Sequence, residues 1–482
     1  MSSKESTFNA EMKVTDWRSA AAVLGLIRYL EYFQLSYNMD EIFSNGLEKE
    51  WDTLRFNSED VTELRFLEFV EYYYSEELHH VAIQTMLYKQ EYTEDEIVEI
   101  NKRMAGNTIL KKVFGKLKFN GSNQQEVLES IEKNRIDIIR ETFRNKKNLY
   151  ANFCNPNQLF KEEQPYCRLN GYYIDGPKKG KSIAYQFSPA TYVAKDSPYY
   201  DFIVFAFTIG RESYFINDNC SISQLVKTND RLKQFVRENK KENKSTDVRR
   251  VMFESIIETA DFIDFDVEVI KKNVDNGYFE TLFLRKESIA ILQEIKNYSC
   301  FCFFYKVTDK YYIDVQKEVT DSIVNLTLLD QWIEFFIKEQ QKENNQFSYL
   351  ISRLIELNIA IRCAVKKGDY EVQLLQSKEV DEMKQNMKVA CACAGQVARE
   401  FERRKQLNKI ASYRNKLISA IVFKDYDRFC DVLIQLAQYS GIQMNFAFDL
   451  FEDFEANKEL AYSFVNALVP SRKKEEQSVK GE

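Results

Sequence analysis

Proline and glycine are scarce, 6 and 14 among 482 residues. A turn-rich sandwich or barrel uses far more of both, so long helices are the expected building units. Histidine is rarer still: His79 and His80 are adjacent on an expected helix with apolar flanks, and there are no others. Adjacent helical residues point in different directions, and no convergent partner is visible, so most acid–base and triad chemistry lacks its base. Both histidines read as structural. No apolar run reaches the roughly 18 residues that crossing a bilayer requires; YDFIVFAFTIG at 200–210 is too short. MSSKESTFNAEMK at the start has no apolar signal region, and a soluble, cytoplasmic protein is expected. Nine scattered cysteines, an odd number, read as reduced thiols. Those of CFC (300–302) and CAC (391–393) read as buried.

What is present is charge, kept in separate places. The net charge of −7 excludes a uniformly basic nucleic-acid binder. Residues 59–99 carry 12 acids against Arg65 and Lys89. Residues 101–121, NKRMAGNTILKKVFGKLKFNG, carry six bases and no acid, and 398–416, AREFERRKQLNKIASYRNK, seven bases and two acids. A chain segregated in this way can hold a polyanion at one place and protein partners at another. Tyr (28) and Phe (36) are abundant, which suits large cores and also base stacking.

The expected fold class is α+β: a mostly helical N-terminal domain (1–150), a mixed α/β middle (151–318), a C-terminal helical bundle (319–470) and a disordered tail (471–482). VTDWRSAAAVLGLIRYLEYF (14–33) starts a helix with Thr15 or Asp16 as N-cap, and apolar residues follow at helical spacing. Further helices are expected at 59–89, 94–114 and 123–147. Three of the six prolines then fall in 152–182. Runs rich in β-branched and aromatic residues predict strands at 183–187, 200–208, 212–217, 262–270, 278–284, 300–306 and 311–315. A charged helix from 229 leads to an expected flexible loop at 239–247. Helical period returns in 321–343, 346–366, 379–406, 408–423, 425–439 and 446–468.

Several patterns have two readings. Asp449, Glu452 and Asp453 share one helix face at i, i+3 and i+4; three close carboxylates suit a divalent cation and hence a nuclease, or simply a solvated face. GPKKGKS (176–182) misses the Walker spacing by one residue and no apolar strand precedes it. It reads as a basic turn whose Lys178, Lys179 and Lys181 can meet phosphate. Cys154-x-x-Asn157 and Cys167-x-x-Asn170 keep half of a paired Cys-x-x-Cys zinc pattern, and two thiolates are too few to hold zinc tightly. No cofactor is expected. In the acid-free stretch, Lys111 and Lys112 are helical, and Lys116, Lys118 and Asn120 lie between Gly115 and Gly121. Lysines there suit phosphate and an asparagine suits a base edge; a solvated helix end is the alternative. Arg399, Arg403, Arg404, Lys405, Lys409, Arg414 and Lys416 form a dense cationic ridge suited to a nucleic-acid backbone, or a solvated helix.

Both ends of the chain carry a resemblance. TDWRSAAAVLGLIRYLE near the start and YRNKLISAIVFKDYDRFCDVLIQLAQYSGIQMNFAFDLFEDFEANKELAYSFVNAL near the end resemble the large subunit of the type I-B CRISPR Cascade, Cst branch. The resemblance implies a non-catalytic subunit that checks the protospacer-adjacent motif and helps open target DNA. It also implies that the subunit steadies the displaced strand and recruits a separate helicase-nuclease. Its implied partners are crRNA, target DNA and the backbone, crRNA-processing and small Cascade subunits, with no membrane. Members of that family carry paired Cys-x-x-Cys motifs where Cys154 and Cys167 stand, and the two asparagines depart from them. The resemblance further suggests that a separate small subunit starts inside the chain, at Met383 or Met387. A scaffold that contacts only protein is the remaining alternative.

Overall fold

The computed structural model describes residues 8–40, 52–155, 159–161, 163–164, 167–170, 194–217, 221–241, 267–275, 279–293, 298–340, 347–367 and 378–470. They form two compact units, one of residues up to 284 and one from 285 onward. The α+β class holds: helices dominate, and the sheets are small and antiparallel.

The first unit is built around helix α1. Strand β1 (Ala10–Lys13) leads into α1 (Trp17–Tyr32), which Asp16 and Ser19 start with a reciprocal capping box. Residues Ala20 to Leu24 are all fully buried, so α1 is a central helix rather than a surface one. Strands β2 (Asn38–Asp40) and β3 (Thr53–Phe56) complete a three-stranded sheet in the order β1-β3-β2, which the sequence pattern does not announce. The stretch expected as a strand at 200–208 is instead a 3₁₀ helix, Pro198–Phe205, with Ser197 as its cap. It lies so close to α1 that a Cβ on Gly25 would stand 2.0 Å from the carbonyl oxygen of Phe202. Only glycine permits that approach.

Helical pieces follow where longer helices were expected: α2 (Glu63–Tyr73), α3 (His79–Met86), α4 (Glu94–Met104), α5 (Thr108–Phe114), α6 (Gln124–Lys133), α7 (Arg135–Asn145) and α8 (Tyr150–Phe153). A 3₁₀ turn, Ser75–Glu77, breaks the first of them. Helices α3 to α7 enclose a separate small core of Ile83, Ile100, Leu110, Phe119, Val127 and Ile138.

After α8 the chain folds on itself. Cys154 bridges Leu169, and a buried Arg168–Asp201 ion pair at 2.7 Å ties the turn to the 3₁₀ helix. Tyr150 donates to the same carboxylate at 2.7 Å, and so does the amide of Phe160. A charge pair this deep needs such extra bonds to offset its lost hydration. The two-residue strands β4 (Glu163–Gln164) and β5 (Ala194–Lys195) pair beside it. A second sheet has the order β6 (Glu212–Asn217), β7 (Val267–Asn273), β8 (Phe279–Leu284), with Tyr214 opposite Lys271 and Val269 opposite Leu282. Helix α9 (Ile222–Lys241) is tied to β6 by Asn229, whose amide bonds both backbone groups of Ile216 at 3.0 and 2.8 Å. The expected strand at 183–187, most of the loop at 239–247 and the tail at 471–482 lie outside the described residues.

In the second unit, α10 (Lys286–Gln293) and the hairpin β9 (Phe304–Thr308)–β10 (Tyr311–Asp314) precede the bundle. The bundle consists of α11 (Val315–Asn325), α12 (Asp330–Glu339), α13 (Ser348–Lys367), α14 (Lys378–Arg403), α15 (Leu407–Val422) and α16 (Tyr426–Ser440), followed by α17 (Ala447–Glu452) and α18 (Lys458–Ala467). Helix α18 is its axis: Lys458 through Asn466 are all buried. Several of its polar residues find partners inside the unit. Glu459 pairs with Arg362 at 2.9 Å and accepts from Asn358, and Asn466 donates to Ser348 and Ser352 at 3.0 Å.

Candidate nucleic-acid interface

The denser cationic segment occupies a helix corner. Helix α14 ends at Arg403, and Lys405 takes a left-handed φ of 57°. The amides of Lys405 and Gln406 then close the helix onto Glu402 and Phe401 at 2.9 and 2.8 Å. Arg403, Arg404 and Lys405 thus stand at a helix C-terminus, where the macrodipole favours positive charge. Glu400 gathers two of them: Arg403 donates at 2.7 and 2.9 Å, and Arg404 at 2.6 Å. Tyr439, at the end of α16, gathers the other side. Arg404 donates to its carbonyl at 2.7 Å; Lys409 donates to its hydroxyl at 2.5 Å and lies 4.1 Å over its ring. Phe401 stacks beside Tyr439 at 5.4 Å. The Lys409 bond holds the Tyr439 phenol below its ordinary pKa. Arg399, Arg403, Arg404, Lys405 and Lys409 are all exposed, and within residues 399–409 the acids are Glu400 and Glu402, so this segment has excess positive charge. Tyr439 and Phe401 were not anticipated as members of it.

Two residues of the expected ridge stand elsewhere. Lys416 is exposed higher on α15, 5.5 Å over the ring of Tyr413. Arg414 is a correction. It is 6% exposed, and donates to the carbonyl of Val465 at 3.0 Å and to the side chain of Gln340. Burial pushes its guanidinium down to about 10. It is an internal strut between α15, α18 and α12, and presents nothing to a strand.

The first basic segment has a different construction. Lys111 and Lys112 are exposed on α5, which ends at Gly115 with φ of 56°. Lys116 and Lys118 are exposed in the loop beyond. Asn101 clamps that loop from below: it donates to the carbonyl of Phe119 at 2.8 Å and accepts from its amide at 2.9 Å. Asn120 is exposed beside these lysines. Its side-chain oxygen accepts from the amide and hydroxyl of Ser122 at 2.9 Å and from the amide of Asn123 at 3.2 Å. That is a turn-forming asparagine, with its acceptor used within the loop.

Lys112 also borders a cavity of about 690 Å³ with His79, Asn107, Glu141, Asn145 and Lys146. Burial, with Lys146 and Arg103 nearby, keeps the His79 imidazole below its ordinary pKa. Gly106 makes room for it: a Cβ there would meet the His79 ring at 3.1 Å. The two histidines therefore differ. His80 is fully buried and bonded to Glu71 at 2.9 Å, whereas His79 faces a polar cavity. Nothing in the HH dipeptide distinguishes them.

Lys178, Lys179 and Lys181 lie outside the described residues, as does Asn157. Cys154 and Cys167 are both buried. Burial, then the charge of Asp201, pushes the Cys154 thiol well up, and Asn155 holds the carbonyl of Cys167 at 2.7 Å. Zinc needs thiolates and further donors, and this turn does not fit it. The stretch 446–468 is two helices, with Asp453 ending α17 and accepting from the amide of Ala456 at 3.0 Å. Among the described residues no three His, Cys, Asp or Glu side chains converge on a metal-sized site, Asp449, Glu452 and Asp453 included. No helix among them is long and apolar enough to cross a membrane.

Neither the curated proteins nor the solved structures contain a match to this chain. Its sequence does match one family profile, CRISPR-associated protein Csx8, over residues 8–244 and 238–468. These two stretches span both structural units, and the chain belongs to the CRISPR-associated Csx8 family.

Proposed function

We propose that this protein is a non-catalytic large subunit of an RNA-guided DNA surveillance complex, of the type I-B kind that its two ends resemble. In this reading it checks the motif beside the target, helps open the duplex, holds the displaced strand and recruits a separate helicase-nuclease. Guide pairing reads the sequence, and the protein supplies backbone grip. The observation that carries the reading is the α14–α15 corner, where Arg403, Lys405 and Lys409 stay exposed with excess positive charge in a chain of net charge −7. Membership of a CRISPR-associated family points the same way. Strand holding falls to Arg399, Arg403, Arg404, Lys405 and Lys409. Motif sensing falls to Lys112, beside the His79 cavity, and to Lys116 and Lys118 on the loop after α5.

The test is the assembled complex carrying Arg403→Glu, Lys405→Glu and Lys409→Glu. Target DNA binding should fall, and the dependence of log affinity on log salt should flatten. Unchanged binding at both low and moderate salt would reject the assignment. A purified protein that cuts labelled DNA with Mg²⁺ or Mn²⁺ would reject the non-catalytic reading. A product starting at Met383 or Met387 would keep most of α14 and all of α15 to α18. A second, smaller band from single-gene expression, lost when both codons change, is the expected sign of it.

A further inference from the structure

A second cavity in the first unit, of about 500 Å³, lies between the end of α2 and one face of α9. Lys233 and Arg237 line it, one helical turn apart on α9, facing Tyr72, Tyr73 and Glu76. The Lys233 ammonium sits 3.7 Å over the ring of Tyr73. Behind it, Arg28 is neutralised by Asp230 at 2.5 Å and donates to the Tyr73 hydroxyl at 3.1 Å. Glu77, also at the rim, is bonded to Lys146 at 3.0 Å. Neither Lys233 nor Arg237 has an ion-pair partner among the described residues. Two cations without a direct ion pair therefore face Glu76 as the one uncompensated acid among the described residues lining the cavity, with Asp230 nearby but already bonded to Arg28. Tyr72, 59% exposed, forms an aromatic rim and is itself stacked on Tyr32 at 4.3 Å.

This is an expensive arrangement without a ligand. A partly buried ammonium near Arg237 and the Asp230-paired Arg28 loses hydration, and Asp230 offsets only part of the repulsion. Burial, then Arg28 and Arg237, pushes Lys233 down to about 7. An anion entering the cavity would relieve both penalties. The volume lies within the range of small-ligand sites, in which a few charged groups fix the ligand against apolar and aromatic walls.

We propose that the Lys233–Arg237 cavity binds a nucleotide unit, its phosphate against Lys233 and Arg237 and its base against Tyr72. Phosphate is an anion that a lysine and an arginine on one helix face jointly suit. A base stacked on an exposed tyrosine adds sequence-tolerant affinity. The unit can come from a free nucleotide or from the end of a strand, and the chemistry is the same. The cavity does not include the α14–α15 corner, so this proposal stands or falls separately from the strand-holding assignment.

The test uses the full-length protein with AMP, adenosine, and a single-stranded oligonucleotide carrying either a 5′-phosphate or a 5′-hydroxyl, with binding read by calorimetry. AMP should bind saturably and adenosine at least tenfold more weakly. Lys233→Gln and Arg237→Gln should each weaken AMP roughly tenfold, and Tyr72→Ala about five- to tenfold, all with unchanged circular dichroism. The Arg403→Glu, Lys405→Glu, Lys409→Glu variant should bind AMP normally. Preference for the 5′-phosphorylated oligonucleotide over AMP would assign a strand end; the reverse would assign a free nucleotide. If neither AMP nor the 5′-phosphorylated strand binds up to millimolar concentration, the proposal is overturned. It is equally overturned if adenosine equals AMP, or if Lys233→Gln binds AMP like the unaltered protein.

Discussion

The two basic segments are built in opposite ways. At the α14–α15 corner the side chains are held: Glu400 braces Arg403 and Arg404, and Tyr439 braces Arg404 and Lys409. In the loop after α5 the backbone is held, by Asn101 and Asn120, while no brace of that kind among the described residues reaches Lys116 or Lys118, both exposed. A braced cation loses less side-chain entropy on meeting a phosphate. A free lysine on a fixed loop can follow a backbone of variable course. The corner thus suits sustained grip, and the loop suits brief inspection.

Four experiments would sharpen or break this contrast. Removing the internal strut should have the largest effect. Arg414→Ala leaves the Val465 carbonyl and Gln340 without their donor, and should cost about 3 kcal/mol, read as a lowered urea midpoint. Its effect on the salt dependence of DNA binding should be nil once folding is corrected for, which separates it from the exposed cations.

Charge reversal of Arg403, Lys405 and Lys409 should come next. It should weaken target binding by the assembled complex by roughly 100-fold at low salt and flatten the log–log salt slope by about 0.7–0.9 for each phosphate the corner no longer neutralises. Stability in urea should barely move, because exposed surface changes seldom cost more than about 0.5 kcal/mol.

Asn101→Ala frees the loop backbone. A loss of about 1–2 kcal/mol is expected, with local amide exchange rising at Phe119. If the loop inspects and the corner grips, this variant should slow target recognition more than it speeds release of bound target.

The smallest effect concerns acid. Glu71 loses hydration on burial, which opposes its ionisation, but bonds from His80 and Arg135 outweigh that and hold its carboxyl at about 2. A carboxyl held low contributes stability that is present above its unfolded pKa, about 4.3, and lost as pH falls towards about 2. The Tm difference between the unaltered protein and Glu71→Gln should therefore be constant above about pH 5 and shrink between roughly pH 4.5 and 2. A gap that widens on acidification would contradict this ion-pair network.

Much of the bundle was legible because its helices are one-sided. Helices α13 to α16 fall within three residues of the periodic segments at either end, since each buries one stripe and wets the other. The run at 200–208 was misread because it is apolar throughout, and a segment buried on every side has no period to read. The single helix expected at 446–468 is two because Asp453 and Asn457 bond local backbone instead of continuing the ladder. Arg414 did leave a signal. It falls four residues after Ile410 and three before Leu417, on the stripe both share, and all three are buried. An arginine on an apolar stripe calls for an internal acceptor, and α18 and α12 provide two.

By itself the sequence determined that this chain is α+β with a helical C-terminal bundle, that two short segments are locally rich in positive charge, and that it belongs to a CRISPR-associated family. These follow from periodicity, composition and motif, which are local along the chain. Tertiary structure alone decided which cations face water. Arg414 turns inward and Lys409 outward only because α18 and α16 supply their partners from some thirty to fifty residues away. The same holds for the Lys233–Arg237 cavity, whose floor comes from α2 and whose charge comes from α9. No window of sequence contains both, because a site is a property of surfaces that meet only after the chain has folded.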